Sequence, residues 1–237
     1  MKVNLLIVAT NKYTQFLPAL LISLKNNFLV GEDVTYCIFT DKTFEVFEQN
    51  TFFNDKMNIF HVDHMPWPGP TLYRFHYFKS HKENLKKANY FFYIDVDTLI
   101  TSQITAEEII GERVGTQHCG FVGKRGSYEG RPISRCYVAP NEGEVYFGGG
   151  FWGFSQDEFW KFIDKSIEMI AIDADNGITP EWHDESVLNR YFIDNKPTKI
   201  LTPSFHYPMS EKNKKGWKEN YPCKILLLDK DHKEIRK

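Results

Sequence analysis

A chain of 237 residues with 42% hydrophobic and 16% aromatic content has the apolar surface for one large α/β domain or two small ones. Its net charge of −2 argues against a nucleic-acid partner, whose phosphates call for a basic face. No segment approaches the roughly 20 apolar residues of a membrane-spanning helix, and residues 1–10 are too short an apolar run for a signal peptide.

Cysteines 37, 119, 136 and 223 stand far apart with no C-x-x-C pair. That spacing argues against a zinc site and suits reduced, buried thiols in a soluble, cytoplasmic protein. The 20 Phe, 12 Tyr and 5 Trp serve a packed core, or the apolar faces of sugars, equally well.

Residues 2–10 (KVNLLIVAT) read as a buried strand. Leu17, Leu20, Leu21, Leu24 and Phe28 then recur at helical spacing, and Gly31 offers a stop. Residues 34–40 (VTYCIFT) and 58–62 (NIFHV) predict two further strands. Prolines at 66, 68 and 70 predict a rigid, extended loop, and a polar helix is expected over 71–88. A fourth strand occupies 90–96. This alternation predicts a parallel, doubly wound sheet with ligands beyond the carboxyl ends of its strands. Thr10, Asp41, Asp95 and Asp97 all fall at such ends.

The second half is more irregular and includes Gly148-Gly149-Gly150. Ser155 and Glu158 have capping-box spacing ahead of a helix whose inner face carries Phe159, Phe162, Ile163, Ile167 and Ile170. Another helix starts near Trp182, with Val187, Leu188, Tyr191 and Phe192 inward. Residues 224–228 (KILLL) predict a last strand, followed by a densely charged tail over 229–237. With no repeat and no linker, one domain is expected over 1–237.

Two motifs carry chemistry. Asp95 and Asp97 are two apart after an aromatic strand, so on an extended chain both carboxylates project to one side. They either cap the strand or hold Mg²⁺ or Mn²⁺, leaving positions open for phosphate oxygens. Phosphatases of the haloacid dehalogenase superfamily also carry D-x-D-x-T, but on the first core strand and with a later acidic pair. Here a strand–helix–strand unit precedes the motif, as in nucleotide-sugar transferases of the GT-A type. In the second motif, Trp182, His183, Asp184, Glu185, Ser186 and Asn189 crowd a helix start. They either cap that helix or form a sugar site. A non-catalytic sugar-binding domain is a further alternative, but it gives no reason for the acidic pair or the basic tail.

The ordered set of segments 9–13 with 34–41, 90–97, 115–121 (GTQHCGF), 127–132 (SYEGRP), 141–152, 173–189 and 197–203 resembles family 6 of the retaining glycosyltransferases. That family contains the histo-blood-group A and B transferases and the α-1,3-galactosyltransferase. DADNGITPEWHDESVLNRY is the most specific stretch. The resemblance implies a single GT-A-type α/β catalytic domain. Residues 1–98 would form the UDP-binding half, 99–228 the sugar and acceptor half, and 229–237 a lid that is mobile when empty and ordered on UDP.

The resemblance also assigns roles. Val8, Ala9, Thr10 and Tyr13 would hold uracil and ribose, with Val96 near the ribose. Asp95 and Asp97 would bind Mn²⁺ or Mg²⁺. Arg74, Lys230 and Arg236 would hold donor sugar and diphosphate. Tyr146–Gly150, with Gly148, Gly149 and Gly150, would form the loop that tells galactose from N-acetylgalactosamine, Gly148 and Gly150 at the discriminating positions, their small size leaving room for an acetamido group. Asp184 would bind donor hydroxyls. His118, Ser127 and Trp182 would face the acceptor, and Glu185 would lie beneath the anomeric carbon. The implied reaction moves galactose or N-acetylgalactosamine from a UDP-sugar to the 3-hydroxyl of a galactose-type glycan, with retention and with metal. Vertebrate relatives carry a membrane anchor and stem that this sequence does not show. Residues 205–208 (FHYP) depart from the family near the acceptor side.

Overall fold

The computed structural model describes residues 1–43, 56–85, 87–210 and 220–236. Near-continuous apolar runs form the central strands β1 (Lys2–Val8), β2 (Asp33–Thr40) and β4 (Tyr90–Ile94), and β3 (Met57–His61) forms an edge. Strands buried on both faces must be apolar throughout, as in parallel sheets covered by helices on either side. Together with β6 (Arg113–Gln117), β7 (Phe147–Ser155) and β8 (Lys199–Leu201) they build one sheet of order β3-β2-β1-β4-β7-β6-β8. Its strands are parallel except for β7, which runs antiparallel to both β4 and β6. The strand-helix alternation in the sequence therefore holds, within a mixed rather than wholly parallel sheet. A small sheet, β5-β10-β9, joins β5 (Thr98–Ile100), β9 (Tyr207–Pro208) and β10 (Ile225–Leu227).

Alternate side chains of each strand enter different layers. Leu6, Val8, Phe91 and Tyr93 pack under α3 (Arg74–Ser80), α5 (Gln156–Asp175) and α6 (Asp184–Asp194). Leu5, Ile7, Phe92 and Ile94 pack under α1 (Leu17–Asn27). Aromatic stacking fills the first layer, with Phe91 on Phe159 at 4.3 Å and Tyr93 on Trp152 at 5.2 Å. The inward faces expected of α5 and α6 are buried as read, with Ile167 packed at the edge.

Several local expectations are corrected. The helix expected over 71–88 is two short ones, α2 (Gly69–Leu72) and α3, broken at Tyr73, and Lys86 lies outside the described residues. Helix begins at Gly69, inside the proline loop, because Pro70 sits in a first turn, where no N–H is required. It ends early because Ser80 Oγ and His81 Nδ1 both compete for the Tyr77 carbonyl, at 3.0 Å each. The box expected at Ser155 does not form. Ser155 makes no side-chain cap, and Glu158 instead binds Arg113 at 2.8 Å and Lys161 at 2.7 Å. A capping box stands at Thr105 and Glu108, ahead of α4 (Ala106–Ile109). Nor is the acidic motif extended. The chain turns after β4, and Thr98 Oγ1 donates to the Asp95 carbonyl at 2.7 Å.

Candidate active site

The acidic motif, the triple glycine and the start of α6 meet at one edge of the sheet. Because β7 is antiparallel, its amino end lies beside the carboxyl end of β4, and Asp95 N–H donates to the Gly150 carbonyl at 2.9 Å. Asn189, one turn into α6, clamps this corner. It accepts from Phe147 N–H at 2.9 Å and donates to the Phe147 carbonyl at 2.8 Å and the Glu185 carbonyl at 2.9 Å.

The glycines let acidic groups approach the strand. A Cβ on Gly149 would sit 3.0 Å from Asp184 Oδ2, and one on Gly150 would sit 3.1 Å from Asp95 Oδ2. A Cβ on Gly148 would lie 2.6 Å from the His206 ring. The room expected in front of Gly148 is therefore taken by an imidazole, a departure from the reading of that space as open.

Arg74 is the fixed positive charge of this corner. It is buried, with Nη1 3.5 Å from Asp95 Oδ1 and 3.3 Å from Asp184 Oδ2, and it lies 4.2 Å from the centre of the Tyr93 ring. Its Nε donates to the Thr71 carbonyl at 3.0 Å. Burial works against its charge, but Asp184, Tyr93 and Asp95 more than offset this and raise its pKa. Burial pushes the Asp184 carboxyl up to about 7, Arg74 pulling against it and the Asp95 and Glu185 charges adding to it.

Glu185, in the first turn of α6, accepts from Tyr146 O–H at 2.7 Å and Gly149 N–H at 2.9 Å. Burial raises it to about 7 against these two bonds, which favour the anion. Its ionised fraction thus rises with pH through about 7. Any step that needs the carboxylate gains on the alkaline side. Tyr146→Phe removes a donor to the charged form, so the acid limb of kcat/KM against pH is expected to move to higher pH. An unmoved limb would detach that limb from Glu185.

His183, before α6, has φ +52°, an uncommon conformation for a non-glycine residue. Its ring meets Trp67 edge-on at 5.3 Å. No side chain caps α6 at His183, and Ser186 Oγ, inside the helix, accepts from Trp182 N–H at 3.0 Å. Trp182 is 47% exposed, which leaves its ring open to stacking, and its Nε1 donates to Ser127 Oγ at 3.0 Å.

Two adjoining cavities result. Val8, Thr10, Tyr13, Arg74, Asp95, Val96, Asp97, Lys230 and Arg236 line one of about 180 Å³. Gly149, Gly150, Trp182, Asp184, Glu185 and His206 line the other, of about 320 Å³. Arg74, Asp95, Trp67, Thr71 and Arg236 border both. Ala9 is apart, fully buried with its N–H on the Phe39 carbonyl at 2.9 Å. Gly148, His118 and Ser127 stand behind the lining.

The tail closes the first cavity. The Asp97 carboxylate pairs with the Lys230 ammonium, and the Arg236 guanidinium lies 3.4 Å over Trp67. Asp231 caps α7 (His232–Ile235), Ile235 is buried, and Lys12 holds Glu234 at 2.9 Å. Lys237 lies outside the described residues.

The sequence gives no role to Tyr93 or Trp67, and places Tyr146 in the discriminating loop without pairing it with Glu185. Tyr93 O–H donates to Asp95 Oδ1 at 2.6 Å. Its position two residues before Asp95, on the same strand face, was the available signal. Tyr146 and Glu185 are 39 residues apart, and no local pattern pairs them.

A seven-stranded mixed sheet flanked by helices, with an acidic pair at the carboxyl end of β4, is a GT-A-like glycosyltransferase fold. Residues 1–237 match glycosyltransferase family 6. Histo-blood group ABO system transferase 1 of Rattus norvegicus is 30% identical over 241 residues, covering 99% of this chain and 68% of that protein. Globoside alpha-1,3-N-acetylgalactosaminyltransferase 1 of Gallus gallus is 28% identical over 234 residues, covering 96% and 67%. O-antigen biosynthesis glycosyltransferase WbnI of Escherichia coli is 26% identical over 237 residues, covering 98% and 96%. The chain belongs to glycosyltransferase family 6 and is a glycosyltransferase. Among the described residues no helix is long and apolar enough to cross a membrane.

Proposed function

We propose that the enzyme transfers N-acetylgalactosamine or galactose, with retention, from a UDP-sugar to the 3-hydroxyl of a galactose-type acceptor. The observation that carries this reading is the pair of cavities sharing Asp95 and Arg74, one closed by the basic tail and the other floored by Glu185 and rimmed by Trp182. UDP occupies the first, between Val8, Thr10, Tyr13 and Val96 on one side and Lys230 and Arg236 on the other. The transferred hexose extends past Arg74 to Asp184 and Glu185. The acceptor enters across Trp182.

The residues fit a divalent cation. Asp95 and Asp97 are hard oxygen donors, the Lys230 ammonium already places a positive charge on Asp97, and Asp95 turns Oδ2 toward Gly150 while Oδ1 takes Tyr93 and Arg74. These two aspartates would hold Mn²⁺ or Mg²⁺, which supplies charge to the departing diphosphate. Arg74, Lys230 and Arg236 add fixed positive charge there. Glu185, held by Tyr146 and Gly149, presents its carboxylate to the reacting carbon, as nucleophile or as counter-charge to an oxocarbenium-like centre.

The test is UDP release from a panel of UDP-sugars, with and without Mn²⁺, against lactose and Fucα1-2Gal acceptors. Release that needs UDP-GalNAc or UDP-Gal together with an acceptor is expected, and indifference to both overturns the reading. Asp97→Asn should raise the KM for donor by about tenfold or more and blunt the response to Mn²⁺. Full activity in chelator would remove the metal from the scheme. Deleting 229–237 should cut kcat/KM by about tenfold or more while Tm moves less than ~4 °C, because the tail acts as a lid rather than core. An active truncated enzyme would refute the lid.

A further inference from the structure

Behind Gly148 lies a cluster of two imidazoles and a thiol. His118 follows β6, Cys119 is its neighbour, and His206 precedes β9. Their ligand atoms all lie within 4.8 Å of one another. The two imidazoles are 4.7 Å apart, centre to centre. Cys119 and His206 are buried, and His206 Nδ1 has no hydrogen-bond partner among the described residues. An unsatisfied buried nitrogen costs about 1–3 kcal/mol and calls for a partner.

We propose that His118, Cys119 and His206 form a second metal site, taking zinc through two imidazole nitrogens and one thiolate. Two nitrogens and a sulfur are borderline-to-soft donors, which select zinc over the manganese or magnesium favoured by oxygen. Zinc–ligand distances of about 2.0–2.3 Å put tetrahedral ligand atoms roughly 3.5 Å apart, so the group closes by about 1 Å on binding. Three protein ligands leave a fourth position for water or for an atom entering from the cavity that His206 lines.

The surroundings suit the two imidazoles but work against the thiolate. Burial holds both imidazoles below their usual range, His118 at about 4, so both are neutral ligands. Burial also holds the Cys119 thiol up at about 11, whereas the backbone N–H groups of Gly120 and Cys119 favour its thiolate. A bound cation completes that shift, and the thiol proton leaves to solvent. Gly120 N–H also donates to His118 Nδ1 at 3.0 Å. Gly148 is what admits the His206 ring, since any Cβ there would collide with it. The metal would fasten the turn after β6 to the segment leading into β9. Cysteine spacing argued against a zinc site because this one uses a single cysteine, and its third ligand comes from 87 residues further along the chain.

The test titrates chelator-stripped, full-length enzyme with Co²⁺ as a spectroscopic probe. One equivalent should produce a sulfur-to-cobalt charge-transfer band that Zn²⁺ abolishes. Cys119→Ser should lose the band, and His206→Asn should weaken cobalt binding at least ~10-fold. Asp95→Asn and Cys223→Ser should keep it. No band in the wild type, or the same band in Cys119→Ser, overturns the proposal. X-ray absorption on zinc-loaded wild type decides the matter without any variant. A shell containing one sulfur and two imidazoles is expected, and a shell without sulfur overturns it.

Discussion

Replacing Glu185 with Gln is expected to lower turnover by about 10²–10⁴-fold while leaving the affinity for UDP nearly unchanged. The substitution keeps the shape and the hydrogen-bonding reach toward Tyr146 and Gly149, but removes the negative charge. In the proposed reading UDP lies in the neighbouring cavity, whose lining does not include Glu185. The loss should therefore appear in kcat, with donor KM moving little. UDP affinity measured by calorimetry separates this from misfolding. A variant that turns over normally would sink the assignment of Glu185 to the reacting carbon. One that loses UDP binding as well would show a structural rather than a chemical role.

The second large effect is expected at Arg74. Arg74→Met retains much of the volume but leaves Asp184 buried without its cation and takes the guanidinium from Asp95, which keeps the Tyr93 hydroxyl. Removing one partner from a buried ion pair costs about 3–5 kcal/mol, because the remaining charge keeps its desolvation penalty. Chemical denaturation at pH 8 should read that loss, and a change below about 1 kcal/mol would mean that solvent already screens the pair.

The pH dependence gives an independent check. Asp184 titrates near 7 in the folded chain, well above an unfolded aspartate. The folded state thus binds the proton more tightly, so this group favours folding most at acid pH. Its contribution falls away as pH rises toward about 7. Without Arg74 that rise goes higher still, so the variant's deficit should shrink on acidification. A deficit that grows below pH 6 would contradict this.

Both predictions depend on groups of very different legibility. The strands carry their assignment in composition. β1 and β4 are apolar at nearly every position, and only a strand covered on both sides has use for that. The inner faces of α5 and α6 were legible because 3.6-residue periodicity is a one-dimensional record of burial. Helix ends were not. At Ser80–His81 and at Ser155 the outcome was set by competition for hydrogen-bond partners, which spacing does not rank. At Ser155 the competitor, Arg113, comes from a distant strand.

The candidate site divides in the same way. Asp95, Asp97 and the cluster from Trp182 to Glu185 stand out because acidic pairs and a Trp-His-Asp-Glu run are unusual at element ends. By itself, the sequence determined an α/β chain of family 6 with those carboxylates at strand and helix termini, since local pattern and ordered motifs are properties of the chain alone. Only the tertiary structure decided that Arg74 bridges Asp95 and Asp184, that Tyr146 holds Glu185, that Lys230 lies on Asp97 and that His206 fills the space before Gly148. The physical reason is range. These contacts join residues 21 to 133 positions apart, and the one antiparallel strand of the seven-stranded sheet, β7, brings the triple glycine beside the end of β4.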